Sequence, residues 1–148
     1  MRIVGVIGAG ECDAALYELA REGGRRIAQA GAALVCGGLS GVMEAVARGA
    51  KEAGGFTLGL LPGDERRTAN AYIDLAIPTG MGEGRNFLIV RAAESLIAIG
   101  GGHGTLSEIA LGLKTGKRVV GLACPWEDIP GVIKAGSPEE AVGKAFGP

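Results

Sequence analysis

Aromatic side chains are scarce in this chain of 148 residues, which has one Trp, two Tyr and three Phe. Its core must therefore be built from Ala, Val, Ile and Leu. Cysteine is sparse as well: Cys12, Cys36 and Cys124 are odd in number and widely spaced, and histidine occurs once. No Cys/His pairing has zinc-ligand spacing, so no metal site is expected, and the thiols read as reduced groups in a reducing cytosol. Charge of one sign is also missing. Fifteen Lys and Arg face sixteen Asp and Glu, a formal net charge of −1. Without a basic stripe the chain lacks what is needed to neutralise a phosphate backbone, and nucleic acid is excluded as its main partner. No apolar run approaches the ~20 residues of a membrane helix. The N-terminus runs directly into an apolar strand at residues 2–7, so no separate signal peptide is expected. A cytoplasmic location with no membrane partner is expected.

Glycine is abundant, with 28 copies against a usual share of roughly 7%. The glycines follow no collagen period and bunch where hydrophobic runs end. The length suits one domain, residues 1–148, large enough to bury a core. Short β-branched runs at residues 2–7, 33–36, 56–61, 73–77, 96–99 and 118–122 read as strands. Helical spacing over about 12–30, 41–53, 84–92, 105–115 and 138–146 places helices between and after them. Strands that are continuous apolar runs, alternating with helices, define an α/β chain. The expected fold is a Rossmann-like, doubly wound parallel sheet of about six strands with helices on both faces.

Ligands of such sheets lie beyond the carboxyl ends of the strands. Three of those ends are glycine clusters that precede helices: Gly8-Ala9-Gly10, Gly37-Gly38-Leu39-Ser40-Gly41 and Gly100 to Gly104. Glycine lets the backbone approach a ligand closely, and a helix start offers free N–H groups with a partial positive charge. Such a place takes a phosphate without a basic side chain. Two nucleotide motifs fail. Asp13 stands where the third glycine of GxGxxG belongs, and the second strand ends in Cys36-Gly37-Gly38 with no carboxylate for a ribose hydroxyl. No glycine run ends in Gly-Lys-Ser or Gly-Lys-Thr, so a P-loop is excluded.

Gly37-Gly38-Leu39-Ser40-Gly41-Val42-Met43-Glu44 and Gly101-Gly102-His103-Gly104-Thr105-Leu106-Ser107-Glu108 resemble the two signature stretches of the LONELY GUY superfamily. Gly80-Met81-Gly82-Glu83-Gly84-Arg85-Asn86 resembles its arginine-bearing stretch, and the three occur in the expected order across roughly residues 3–122. The resemblance implies one of two activities. Phosphoribohydrolases of the family cleave the N-glycosidic bond of a nucleoside 5′-monophosphate, with catalysis that would fall here to Arg85 and Glu108. Molybdenum-cofactor carrier proteins bind a phosphorylated pterin, and the Val-Met-Glu-Ala and Gly-Arg-Asn runs look closer to that branch. Departures from the hydrolase pattern are Gly100 for the usual proline, Asn86 for lysine and Ser107 for glutamate.

The ligand-binding residues so implied are Gly8, Gly10, Gly37, Gly38, Gly41, Met43, Asn86, Gly101, Gly102, His103, Gly104 and Thr105. The ligand would be a nucleoside monophosphate or a molybdopterin-type phosphate ester, with no cofactor required. The resemblance also implies a homodimer or a tetramer. A carboxylate and a cation suit glycosidic hydrolysis. Yet Thr105-Leu106-Ser107-Glu108 also has the form of a capping box. Leu106, Ile109, Ala110 and Leu113 define the expected buried stripe of that helix, which turns Glu108 toward solvent or cleft. Asn86 either reads a base edge or caps its helix. Met43 lies one position off an apolar stripe and faces a ligand or a subunit partner. Arg66 and Arg67 belong to a lid or to an exposed loop. The five lysines fall away from the glycine edge, which argues against the lysine decarboxylase label often attached to this superfamily.

Overall fold

The computed structural model describes residues 1–147; Pro148, the last residue of the expected domain, lies outside them. Seven parallel strands form one sheet: β1 (Ile3–Gly8), β2 (Ala33–Cys36), β3 (Thr57–Leu61), β4 (Leu75–Pro78), β5 (Ser95–Ile99), β6 (Arg118–Leu122) and β7 (Ile133–Ala135). Five α-helices accompany them: α1 (Ala14–Gln29), α2 (Val42–Glu52), α3 (Arg85–Ala92), α4 (His103–Lys114) and α5 (Pro138–Ala145). The strand order is β4-β3-β2-β1-β5-β6-β7. The chain thus builds outward from β1 to one edge, then crosses back to β5 and builds toward the other. β1 and β5 pair with Gly8 opposite Ile99, and the direction of winding reverses between them.

The central strands are covered on both faces, and their sequences show it. All four residues of β2 and all five of β5 are buried. On one face α1, α2 and α5 enclose Val6, Ile27, Leu34, Val46 and Ile97; on the other, α3 and α4 enclose Val35, Ile89, Leu96 and Ile109. Each such aliphatic side chain contributes about 1.5–3 kcal/mol on burial. This is how a core with almost no aromatics is made.

The seventh strand was not expected. β7 has three residues with Lys134 exposed at its centre, too few to show a period. The fourth strand begins at Leu75 rather than Ile73. Asp74 instead receives the amide of Thr57 and pairs with Lys51 Nζ at 2.9 Å, which fixes the start of the edge strand. α4 begins at His103, two residues before the expected position, because its first turn grows directly out of the glycine loop.

The expected buried stripe of α4 is corrected. Thr105, Glu108, Ile109 and Gly112 face inward; Leu106 and Leu113 are half-buried and Ala110 is exposed. Gly112 decides the phase. A Cβ there would stand 2.6 Å from Leu96 Cδ1, so the helix meets the sheet through its smallest residue and its leucines flank the contact.

Candidate functional site

A cavity of about 330 Å³ opens where the winding reverses, at the carboxyl ends of the strands. Its floor is the end of β1, Val6 to Gly10, and its walls include Gly37, Met43, Arg85, Glu108 and the first turn of α4. The glycine loops that border it are stitched to one another. Val42 N–H donates to Ala9 O at 2.9 Å, and Ser40 Oγ donates to Gly10 O at 2.9 Å. Gly41 makes this contact possible. It has φ +68°, and a Cβ on it would stand 2.5 Å from Ala9 O. On the far side, Gly100 N–H donates to Ala123 O at 3.2 Å.

Two helices start at this cavity without a side-chain cap. α2 has Gly41 as its N-cap and α4 has Gly102. The first helical bonds are Ala45 N–H to Gly41 O and Leu106 N–H to Gly102 O, both 3.0 Å. The amides of Met43, Glu44, His103, Gly104 and Thr105 precede or lie outside those bonds, and such orphan donors with the helix dipole suit an anion. α1 differs. Asp13 is its N-cap and accepts from Leu16 N–H at 2.8 Å, so the helix that takes the pyrophosphate in dinucleotide-binding folds is closed here by a carboxylate.

Arg85 is aimed by its neighbours. Its Nε donates to Leu60 O at 2.9 Å, and its Nη1 donates to Asn86 Oδ1. A Cβ on Gly37 would lie 2.7 Å from Arg85 Nη2 and 2.6 Å from Met43 Sδ. Gly37 therefore leaves room for the guanidinium rather than merely turning the chain. Asn86 does not cap α3, whose N-cap is Gly84 without a side-chain bond; it is buried at the cavity wall as the partner of Arg85.

Glu108 faces the cavity with only 6% of its surface exposed. No ion pair or hydrogen bond holds its carboxyl among the described residues, and burial pushes it up to about 8, an effect that the positive charge of Arg85 partly offsets. Burial of this kind favours the protonated carboxyl, a form able to donate a proton near neutral pH. The capping box is not formed. Thr105 lies two residues past the helix start, buried over Gly101, where a Cβ would stand 2.3 Å from its Oγ1. Helix capping therefore gives no account of Glu108.

Of the residues singled out in the sequence, Gly8, Gly10, Gly37, Met43, Arg85, Asn86, Gly102, Gly104, Thr105 and Glu108 line the cavity. Gly38, Gly41, Gly101 and His103 do not; the first three shape the loops behind it, and His103 stands exposed outside. Arg66 and Arg67 occupy an exposed 3₁₀ turn away from it. No lysine lines it. Sequence reasoning missed Pro62, Glu83, Ile7 and Ile89 in the lining, although Glu83 stood inside the arginine-bearing stretch. Cys36 is buried behind Gly37 with its thiol pushed up to about 11 by burial, which makes it inert. All three cysteines are free.

Fold and cavity together define a doubly wound α/β protein whose site lies at the topological switch point. The sequence matches the SLOG cluster4 family over residues 1–144, and the chain belongs to that family. An uncharacterised protein of Archaeoglobus fulgidus is 49% identical over 139 residues, covering 94% of this chain and 91% of the relative. The molybdenum cofactor binding protein of Rippkaea orientalis has a similar structure at TM-score 0.90 and 37% identity, over 96% of this chain and 93% of that one. The molybdenum cofactor carrier protein of Chlamydomonas reinhardtii is similar at TM-score 0.87 and 35% identity, over 98% and 96%. No helix among the described residues is long and apolar enough to cross a membrane.

Proposed function

We propose that this protein is a carrier of the molybdenum-cofactor type, holding a phosphorylated pterin by its phosphate without changing it. What carries the reading is identity of 35–37% across nearly the whole chain with two proteins named for binding or carrying that cofactor. The site's chemistry supports it. Two uncapped helix starts and Arg85 converge on one cavity, a donor set suited to a phosphate monoester. The sulfur of Met43 and the aliphatic wall of Ile7 and Ile89 supply the apolar contacts that a ligand pocket needs beside them. By the resemblance to the LONELY GUY superfamily, the assembly is a homodimer or tetramer.

The test is to mix the purified protein with molybdenum cofactor freshly released from a molybdoenzyme and pass it through a desalting column. Co-elution of molybdenum and pterin fluorescence with the protein supports carriage; their complete separation from it overturns the reading.

A second reading has its own observation. Glu108, buried in the same cavity lining as Arg85 with its carboxyl pushed up by burial, has the character of a general acid, as a nucleoside 5′-monophosphate phosphoribohydrolase would use. Free base released from AMP or GMP by the wild type, and not by Glu108→Ala, would establish that activity.

A further inference from the structure

The cavity is at the lower end of the roughly 300–1,000 Å³ that ligand pockets span. Gly102 and Gly104, which line it, are exposed and mark its open side. An aromatic corner stands there. His103, the first residue of α4, and Trp126, in the loop after β6, have ring centroids 6.0 Å apart with planes tilted by 36°. Between them and the cavity lies Gly102, whose carbonyl accepts from Trp126 Nε1 at 3.1 Å.

The surroundings show that this corner is built. The loop after β6 turns back through Ala123, a non-glycine residue with φ +49°, whose carbonyl also receives the amide of Gly100. Both hydrogen bonds tie the loop to the glycine turn that precedes α4. The half-buried indole packs on the α3/α4 side of the core, so its plane is held. His103 is exposed, and its imidazole takes part in no hydrogen bond among the described residues. Packing gives no account of a ring at that position. Among the other exposed or half-buried rings, Phe146, Tyr72 and Phe87 each lie near an arginine.

We propose that His103 and Trp126 form a ledge on which the planar heterocycle of a phosphate-bearing ligand stacks, which makes this pair the determinant of ring specificity. The inference rests on the phosphate reading of the cavity. It limits the ligand class to phosphate esters that carry a flat nitrogen heterocycle.

Trp126 is the single tryptophan, so its fluorescence reports the contact directly. The probes are GMP, whose guanine shares a fused aminopyrimidinone ring with pterins, and ribose 5-phosphate, which lacks any ring system to stack. GMP should quench Trp126 and ribose 5-phosphate should not, while calorimetry registers binding of both. His103→Ala and Trp126→Leu should weaken GMP by about tenfold, within the range for stacking on an aromatic, and leave ribose 5-phosphate unchanged. Trp126→Phe should retain most of the GMP affinity, separating stacking from loss of the hydrogen bond. Equal loss for both probes, or GMP binding without quenching, overturns the ledge and leaves the phosphate site standing. Failure of the wild type to bind either probe overturns the phosphate reading, and the ledge with it.

Discussion

The carboxyl of Glu108 ties protonation to both stability and binding. Its value rises from 4.5 in the unfolded chain to about 8 in the folded one, so between those limits the folded state holds more protons. The contribution of Glu108 to stability therefore falls as pH rises from about 4.5 to about 8 and levels off above. Glu108→Gln should remove that fall, giving a higher melting temperature than wild type at pH 8.5 and a similar one at pH 4.5. An ionised Glu108 also repels a phosphate held near Arg85, so wild-type affinity for a phosphate ester should drop above pH 8 and that of the variant should not. Gly102 makes a simpler prediction. A Cβ there meets nothing within 4 Å, so Gly102→Val should fold normally, by circular dichroism, while its new methyl groups crowd the cavity rim and abolish ligand binding. Arg85 and Glu108 were legible as a pair from their motifs. The burial of Glu108 was not, because a Thr-x-x-Glu pattern reads as a cap unless the helix is known to start at His103.

Helices α1 and α2 cross through glycine. A Cβ on Gly24 would lie 1.9 Å from Val46 O, and one on Gly49 would lie 1.8 Å from Arg21 O. Backbone stands against backbone at both points and neither can yield cheaply. Gly24→Ala should therefore lower stability by roughly 2 kcal/mol or more despite alanine's better helix propensity, since overpacking of this kind costs about 1–3 kcal/mol. Chemical denaturation would show it as a lower midpoint. The positions of the long helices followed from period and from stops such as Gly31. Their contact residues did not, because helical pattern reading looks for large apolar side chains, whereas α1 and α4 both meet their neighbours through glycine. The same bias displaced the expected stripe of α4. β7 escaped because three residues around an exposed lysine carry no alternation.

Across the whole molecule, sheet order alone places the cavity, and this was the most legible level. Continuous apolar strands ending in glycine forecast both the doubly wound sheet and the edge where the cavity opens. Which loops touch the cavity was less legible, since Gly38, Gly41 and Gly101 serve the loops' own geometry and only folding distinguishes them from Gly10 and Gly102. A ligand bound there bridges elements from both halves of the sheet, so binding should be felt globally. At a hundred times its dissociation constant it should add about 2.7 kcal/mol, a rise in melting temperature of roughly 5–10 °C for a domain of this size. Scanning fluorimetry with the phosphorylated ligand checks this, and an unchanged transition at saturation would contradict it. The left-handed backbone of Ala123 has a consequence of its own. In a chain with 28 glycines, this strained position holds the residue that suits it less, at a cost of about 1–2 kcal/mol. Glycine would relieve the strain and also widen the range of shapes open to the segment that presents Trp126. The methyl group of Ala123 gives up some folding free energy and in return narrows the range of shapes open to the loop.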